Sequence, residues 1–517
     1  MTEGNTQNWD VIVVGSGMGG MSSAAALAKT GHRVLLLEQY KALGGLTHSF
    51  SREGFTWDVG LHYLGCVSPQ DRERGMIDWI SHTPMAFEPM GSVYDILHLG
   101  DARPLALSRP FEAQERDLID RFPDEADAIK AWIAALRDGR NTMYMLASTR
   151  ATPDFVGHMI EWWNHRAIDK WCARTTQEVV DSITQNPELA AAFTAQWGDH
   201  GGRPHKASFA MHALICGSFL ESGAWYPVGG GSAFAEHLIP TITQAGGEAR
   251  AGVRVETLLV ENDKVVGVRT SDGEDIRAPA VISDIGVRET IKTLLPAGCG
   301  PKDWIDEINA LPASIAHFSL FLGFEGDVKE AGATRSNHWV YPTGQVDAVW
   351  DEAPEGDPPG FFVSLASLKD PSHDPGPKQK YSGEMVVWTD WSVVARWADL
   401  PSGGRGADYK AFKQKVEDKM FALFKAYFPD LAELVVFREL STPLATEAIT
   451  GHHEGRFYGL DGTPARVLST ALKTKTPVEG LYLAGQDVVS QGIQGALWGG
   501  ILCAASIDPR VFKQLRT

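Results

Sequence analysis

The sequence is poor in cysteine, and its few thiols are widely separated. Five cysteines are scattered among 517 residues, and no two are spaced as C-x-x-C. This pattern excludes a disulfide framework and a cysteine-based zinc site, and it is typical of reduced thiols inside a cell. We therefore expect a cytoplasmic protein without a bound metal.

Positive charge is also scarce, since 47 basic residues face 65 acidic ones and the formal net charge is −18. Nucleic-acid phosphates require a basic face, so this balance argues against nucleic acid as a partner. No apolar run approaches the roughly 18 residues that a membrane-spanning helix needs. Because the leader before Asp10 is short and polar, we expect no cleavable signal. Peripheral contact with a membrane through a local apolar patch remains open.

Hydrophobic residues make up 44% of the chain and charged residues 22%, which is the composition of an ordinary globular protein. A chain of this length is too long for one small core, so we expect about two to three domains.

The clearest motif lies at residues 10–39. An apolar run at 11–14 is followed by GSGMGG, an alanine-rich segment and a second apolar run that ends on Glu38. This order of strand, glycine turn, helix, strand and acid is the dinucleotide-binding fingerprint. Gly15 makes the tight turn, Gly17 admits a pyrophosphate, and Gly20 lets the helix pack on the strand. The helix N-terminus attracts phosphate, and Glu38 accepts from ribose hydroxyls, which favours FAD or NAD over NADP.

A second site of the same kind is predicted near the end of the chain. The apolar run before Gly485 predicts a buried strand, Asp487 follows it, and a glycine-punctuated helix comes next. Two strand-to-helix sites some 450 residues apart indicate a long cofactor that is held at both ends, which favours FAD over NAD. Segments 253–260, 264–270 and 280–283 predict strands that return to the same domain.

The intervening segments carry weaker signals. The pair Gly44-Gly45 predicts either a close approach to the cofactor or a plain turn. Segment 55–63 is rich in aromatic residues and contains His62. This histidine either takes part in the chemistry or has a structural role. Residues 111–220 have helical periodicity with many Met and Trp residues. That block predicts an inserted lobe that lines an apolar channel, contacts a membrane, or simply forms a core.

These motifs resemble those of the FAD-dependent family that includes bacterial phytoene desaturases, carotenoid cis–trans isomerases and retinol saturase. The matching segments are VVGSGMGGMSSAAALAKTGHRVLLLE, GGLTHSF, WDVGLHYLG, YPVGGGSAFAEHLIP and GLYLAGQDVVSQGIQGALWGGILCA, spread from residue 10 to 507. The fingerprint is shared by many flavoproteins, whereas YPVGGGS and the Gly485-Gln486-Asp487 ending are far more specific. Within the family, the chain is most similar to retinol saturase and the carotenoid isomerases.

The resemblance implies an α/β fold with a discontinuous Rossmann-like FAD-binding domain. This domain would comprise residues 1–100, 226–300 and 476–517. An inserted α+β substrate-binding lobe would comprise residues 101–225 and 301–475.

The resemblance also implies the cofactor contacts. The fingerprint glycines would bind the pyrophosphate, Glu38 the adenosine ribose, and Asp487 the ribityl chain. Val255 would contact the adenine. Because the strand that carries it is slightly longer than in relatives, Val253 is an alternative for this contact. Lys41 stands where many relatives carry arginine. The full set of expected FAD contacts is Gly15, Gly17, Met18, Gly19, Gly20, Glu38, Gln39, Gly44, Gly45, Leu46, Thr47, Val255, Gly485, Asp487, Ile493 and Gln494.

The implied activity is that of an FAD-dependent oxidoreductase acting on C=C or C–C bonds of a hydrophobic isoprenoid or polyene, such as a carotenoid or retinoid. Saturation is favoured. A flavin would carry the redox chemistry, so few catalytic side chains are needed. The candidate proton donors are His62, Tyr63, His452, His453 and Tyr458. The adjacent histidines have no further ligand at metal spacing, so we do not assign a zinc site.

Four alternatives remain open at this point. The same hydride transfer in reverse would make a desaturase, and a redox-neutral shift along a conjugated chain would make a cis–trans isomerase. An amine-oxidase-like flavoenzyme and a flavin-binding protein without turnover are further alternatives. The electron donor or acceptor is not identified, and without a second fingerprint NAD(P)H would be a visiting donor.

Overall fold

The structure of the protein is a computed structural model that describes residues 9–515. A parallel five-stranded sheet lies at the centre of the nucleotide-binding region. Its central strand, Val11–Val14, is buried throughout, as parallel sheets covered on both faces require. The strand order across the sheet is Leu481–Leu483, Ala280–Ser283, Val11–Val14, Val34–Glu38 and Glu248–Ala251.

This sheet takes its strands from three separated parts of the chain, in agreement with the discontinuous Rossmann-like fold. An antiparallel three-stranded sheet extends the same region. It begins at Val255 rather than Val253, because Val253 N–H donates instead to Glu38 O at 2.8 Å. The strands of this sheet are Val255–Glu261, Lys264–Thr270 and Asp275–Arg277.

A mixed seven-stranded sheet forms the floor of the second region. Its strand order is Val435–Ser441, Ala316–Glu325, Lys380–Thr389, Phe361–Ser364, Asn337–Tyr341, Val93–Leu99 and Leu105–Ser108. The strand at Val93 therefore lies outside the sheet of the fingerprint, although the predicted boundary at residue 100 groups it there. The division into domains stays a prediction. Two hairpins join Ser49–Arg52 to Phe55–Asp58 and Phe87–Pro89 to Trp225–Pro227.

Helices cover the sheets and form most of the inserted block. The predicted helical segment that begins at Phe111 is divided into two helices, because the chain breaks at Phe122-Pro123. The longer helices are Met18–Lys29, Arg72–Ile80, Phe111–Arg121, Ala126–Ser148, Asp154–Trp163, His165–Trp171, Thr176–Asp181, Pro187–Thr194, Phe209–Ser222, Ala233–Gln244, Lys302–Ala310, Gly406–Tyr427, Pro443–Thr450, Pro464–Leu468, Gly492–Ile507 and Arg510–Gln514.

The two glycine-rich helices cross at short range behind the five-stranded sheet. A Cβ atom on Gly500 would overlap the Ser22 hydroxyl and the Gly19 carbonyl, and one on Gly499 would overlap the Gly485 carbonyl. The glycines of the C-terminal helix Gly492–Ile507 therefore allow backbone packing against the fingerprint helix Met18–Lys29. Within residues 9–515, no helix has both the length and the hydropathy to cross a membrane.

Candidate active site

One continuous cavity of about 1450 Å³ runs from the fingerprint to the seven-stranded sheet. It starts at the carboxyl ends of the parallel strands, where ligands of this sheet type bind. Most residues predicted from the sequence line it. Those on its wall are Gly15, Gly17, Met18, Glu38, Gln39, Gly45, Leu46, Thr47, His62, Tyr63, Val253, Val255, His452, His453, Tyr458, Gly485, Asp487, Ile493 and Gln494.

Gly19, Gly20 and Gly44 are not among the residues on the cavity wall. A Cβ atom on Gly20 would overlap the Gly15 carbonyl, so Gly20 serves the helix–strand packing. One on Gly19 would overlap the Gly485 backbone, and Gly44 N–H donates to the Ser16 hydroxyl at 3.0 Å. These three glycines lie behind the cavity wall, and their expected contacts with the cofactor stay a prediction.

The turn of the fingerprint has the geometry that its sequence predicts. Gly15 has φ +98°, a left-handed conformation that favours glycine, and its N–H donates to Leu37 O at 2.8 Å. Gly17 precedes the first residue of the fingerprint helix and has no side chain that could cap it. Within the first turn, the Gly20 N–H bonds to the Asp284 carboxyl, whereas Met18 lies on the cavity wall. The N–H groups ahead of Gly20 therefore remain available to an anion in the cavity.

Glu38 is held at the end of the second strand by several donors. One carboxylate oxygen accepts from the Ser16 N–H at 2.9 Å and the Ser16 hydroxyl at 2.7 Å. The other accepts from Tyr40 N–H at 2.8 Å. These bonds orient the carboxylate in the cavity wall, next to Val253. Ser16 was not singled out from the sequence, although it lies within the fingerprint.

Asp284 is a functional candidate that the sequence reasoning missed. It directly follows strand Ala280–Ser283, and its N–H donates to Val14 O at 2.8 Å. A Cβ atom on Gly17 would lie 2.6 Å from its Oδ2, so this carboxyl occupies the space beside the phosphate turn. Oδ2 has no hydrogen-bond partner among the described residues. Burial raises the pKa of Asp284 to about 8, and the nearby Glu38 and Asp487 charges add to the shift.

The carboxylate of Asp487 joins three parts of the chain. Its Oδ1 accepts from Leu460 N–H at 3.0 Å and its Oδ2 from Val287 N–H at 2.9 Å. Ile493 and Gln494 lie in the first turn of the C-terminal helix, whose N-terminus also faces the cavity. A dinucleotide that spans the two helix N-termini would meet both acids, Glu38 and Asp487.

The far end of the cavity is lined by aromatic rings. Tyr63 stacks on Phe219 with ring centroids 4.4 Å apart, and Trp339 stacks on Trp388 at 5.6 Å. Tyr458 lies on the same wall with its ring against Phe457 at 4.1 Å. Such a wall suits an apolar, extended molecule. Phe321 and Phe362 also line the cavity.

A buried polar network lies behind the aromatic wall. The Tyr63 hydroxyl is 2.6 Å from Asp199 Oδ2 and 2.9 Å from Asp95 Oδ2. Asp95 also accepts from three N–H groups, those of Asn337 at 2.8 Å, Gln196 at 2.8 Å and Trp339 at 2.9 Å. Residues far apart in sequence supply these partners, so no local pattern indicated the network.

Lys369 extends this network toward His62. Its ammonium donates to His62 O at 2.9 Å, to the Ser364 hydroxyl at 2.7 Å and to Asn337 Oδ1. Burial lowers the pKa of Lys369 to about 7, against the opposing effect of the Asp95, Asp58 and Asp199 charges. The sequence reasoning missed this lysine because an isolated lysine in a helix turn carries no motif.

His62 lies on the cavity wall, with its ring centroid 4.9 Å from that of Phe362. Burial, with the Lys369 and His317 charges, lowers its pKa to about 3, so the ring is neutral at pH 7. Its Nδ1 is 3.9 Å from Glu384 Oε2, and burial raises the pKa of Glu384 to about 8. The neutral imidazole can accept or relay a proton, but it has no acidic imidazolium proton to donate.

The remaining proton-donor candidates differ in their surroundings. Burial and the Asp199 charge raise the pKa of Tyr458 well above its ordinary value. Burial lowers the pKa of His452. His453 is 48% exposed and lies 3.6 Å from Glu447 Oε1, on the solvent side of the wall. No group of three or more His, Cys, Asp or Glu residues within 9–515 is arranged to hold a metal ion.

Comparison with known proteins identifies the domain type and several similar proteins. A model of the NAD(P)-binding Rossmann-like domain matches residues 13–78. The all-trans-retinol 13,14-reductase of Danio rerio is 29% identical over 526 residues, with 97% of this chain and 86% of the relative covered. The chloroplastic prolycopene isomerase of Daucus carota is 24% identical over 520 residues, with 97% and 80% covered.

Among solved structures, cyclohexylamine oxidase from Brevibacterium oxydans is similar with a TM-score of 0.63 and 15% identity, covering 98% of this chain and 100% of that one. This likeness establishes the fold alone. The comparisons confirm the resemblance found in the motifs, since retinol reductases and prolycopene isomerases both match along nearly the whole chain. They also confirm the Rossmann-like fold class and indicate an oxidoreductase.

Proposed function

We propose that the protein is an FAD-dependent oxidoreductase that saturates a C=C bond in a hydrophobic isoprenoid or polyene substrate. The observation that carries this proposal is the continuous cavity, which joins a dinucleotide end to an aromatic end. A cofactor that reaches from one end to the other would present its reactive ring to a substrate held among the aromatic side chains.

The residues at the first end fit FAD. The turn at Gly15 and Gly17 would present the first N–H groups of the fingerprint helix to a pyrophosphate, and the C-terminal helix offers a second N-terminus. Glu38 and Asp487 would serve as acceptors for the ribose and ribityl hydroxyls of the cofactor. When bound, a flavin supplies two-electron hydride transfer. The loop at Leu46 and Thr47, with Ile493 and Gln494, would hold it in place.

The residues at the second end fit an apolar substrate. Stacked aromatic rings form the wall, and His62 is neutral. The relatives named for retinol and prolycopene support a polyene of this chemical class. The first of these names is that of a reductase, which supports saturation over desaturation.

The cofactor is tested by purifying the protein and extracting its flavin. We expect a yellow protein that contains about one FAD per chain. Glu38→Ala and Asp487→Ala should lower the FAD content, whereas the exposed Glu479→Ala should not. A colourless protein that takes up no FAD would overturn the proposal.

The reaction is tested by incubating the reduced protein with retinol and with a linear carotenoid, followed by mass analysis of the products. A gain of two hydrogens is the expected result. A loss of two hydrogens identifies a desaturase, and an unchanged mass with a shifted retention time identifies an isomerase. Hydrogen peroxide formed from an amine substrate identifies an amine oxidase.

We also propose that the protein contacts a membrane surface through an aromatic face, formed by Phe155, Met159, Trp162 and Trp163. These side chains are 75%, 58%, 70% and 77% exposed on the single helix Asp154–Trp163. Their spacing of i, i+4, i+7 and i+8 puts them on one side of that helix, as in helices that lie in a lipid interface. A substrate that dissolves in lipid would be collected there.

The membrane contact is tested by sedimentation with phosphatidylcholine vesicles, which are neutral and suit an acidic protein. The double variant Trp162→Ser/Trp163→Ser should lose most of the vesicle-bound fraction. The control Val436→Ser, which removes an apolar side chain that is 58% exposed elsewhere, should keep it. Equal binding by both variants would contradict the proposed contact.

A further inference from the structure

We infer that Asp199 is the acid that delivers a proton to the substrate, and that Tyr63 connects it to the carboxylate of Asp95. The inference rests on the proposed function, because it requires a substrate double bond at the aromatic end of the cavity. It names a catalytic residue that no motif in the sequence indicates.

The hydrogen-bond count assigns a proton to Asp199. The Tyr63 hydroxyl lies within hydrogen-bond distance of both Asp199 and Asp95, but a phenol has one hydrogen and donates to one of them. Asp95 Oδ2 already accepts from the N–H groups of Gln196 and Trp339, so it acts as an acceptor. Asp199 therefore holds the second hydrogen and donates to Tyr63, which donates to Asp95.

Electrostatics leads to the same assignment. Asp95 is fully buried, and a second negative charge one hydroxyl away would be strongly repelled. Burial raises the pKa of Asp95, but its four hydrogen-bond donors oppose that shift. Burial and the Asp95 charge raise the pKa of Asp199 well above its ordinary value. The Lys369 ammonium donates to other groups, not to either carboxylate. The titratable side chains around Asp199 are Tyr63, Tyr94, Cys216, Tyr341, Lys369 and Tyr458.

The two aspartates differ in access to the cavity. Asp199 lines the cavity on the same wall as Tyr63, Trp339 and Tyr458, whereas Asp95 lies behind that wall. Neutral Asp199 therefore faces the substrate, and charged Asp95 keeps Asp199 in its orientation through Tyr63.

This arrangement supplies the proton that saturation requires. A bound reduced flavin would supply the hydride for one carbon of the C=C bond, and the neighbouring carbon would then need a proton as the π bond breaks. Asp199 gives that proton through its O–H bond, becomes a carboxylate, and is reprotonated from solvent after the product leaves. Desaturation would instead require Asp199 to start as a carboxylate base, so a neutral Asp199 favours the saturating direction.

The protonation state can be measured without turnover by infrared difference spectroscopy in H₂O and D₂O. At pH 9 the wild type should keep a carbonyl band of a protonated carboxyl that shifts in D₂O. Asp199→Asn, which has nearly the same shape, should lose this band. Glu384→Gln is the matched control, because the pKa of Glu384 is about 8 and its own band should have disappeared by pH 9. Absence of the band in the wild type would overturn the inference, and this measurement needs no variant. Survival of the band in Asp199→Asn would also overturn it.

Turnover gives the second readout. Asp199→Asn should slow saturation about 100-fold or more, the usual contribution of a general acid, with unchanged FAD content. Saturation by Asp199→Asn at the wild-type rate would overturn the role of Asp199. A protein that binds no FAD, or converts no polyene, would refute the proposed function instead, while the infrared result would still decide the protonation of Asp199.

Discussion

The carboxyl of Asp284 should make FAD binding depend on pH. It lies beside the fingerprint turn, with Oδ2 near Gly17 and no hydrogen-bond partner for that oxygen among the described residues. A pyrophosphate bound at this turn is tolerated next to a neutral carboxyl and repelled by a charged one. Because the pKa of Asp284 is raised to about 8, the neutral form prevails below that pH and is lost as the pH rises.

The size of the effect follows from this pKa. If the bound state requires neutral Asp284, the dissociation constant rises by about tenfold between pH 7 and pH 9, which is about 1.4 kcal/mol. Asp284→Asn cannot ionise, so its affinity should stay nearly constant over the same range and exceed that of the wild type at pH 9.

The assay is a titration of the flavin-free protein with FAD, followed by the quenching of flavin fluorescence at pH 7, 8 and 9. Asp263→Asn is a matched control, since Asp263 lies in an exposed hairpin away from the cavity and should leave the wild-type slope intact. A wild-type affinity that is constant or increases with pH would refute the reasoning. The same slope in Asp284→Asn would assign the pH dependence to another group.

Three further predictions concern stability, measured by urea unfolding. Gly500→Ala should lower the free energy of unfolding by about 1–3 kcal/mol, because its Cβ would overlap Ser22 and Gly19 of the fingerprint helix. Gly75→Ala, at an exposed position of helix Arg72–Ile80 with open space around it, should raise it by about 0.5–1 kcal/mol. Lys369→Met should lower the free energy of unfolding by about 3 kcal/mol or more, because three buried acceptors lose their donor. An unchanged free energy of unfolding would show that the ammonium is not needed for stability. Trp57→Phe should lower the free energy of unfolding by about 1–3 kcal/mol, because the indole N–H of Trp57 donates to Leu322 O and Gly383 O at 3.1 Å. The control Trp163→Phe, on the surface, should change it by less than about 0.5 kcal/mol.

The nucleotide-binding half of the molecule could be predicted from local sequence. The turn at Gly15, the packing role of Gly20 and the position of Glu38 depend on residues that are close together in the chain. Their offsets are set by the geometry of one strand–helix–strand unit, so a linear pattern is enough to identify them. The aromatic composition of the inserted lobe likewise indicated an apolar environment, but not which rings face the cavity.

The chemistry of the second end was decided by the tertiary structure. Asp95, Asp199 and Lys369 come from three distant segments, and each alone resembles an ordinary surface residue in the sequence. Their protonation states arise because folding removes them from water and brings like charges together. Neither the burial of these residues nor the distances between them can be read from the neighbouring residues in the sequence. Asp284 is similar, since its place beside Gly17 follows from the pairing of strand Ala280–Ser283 with strand Val11–Val14. The sequence by itself therefore determined where a dinucleotide belongs, and the fold alone decided which acids are neutral next to it and next to the substrate.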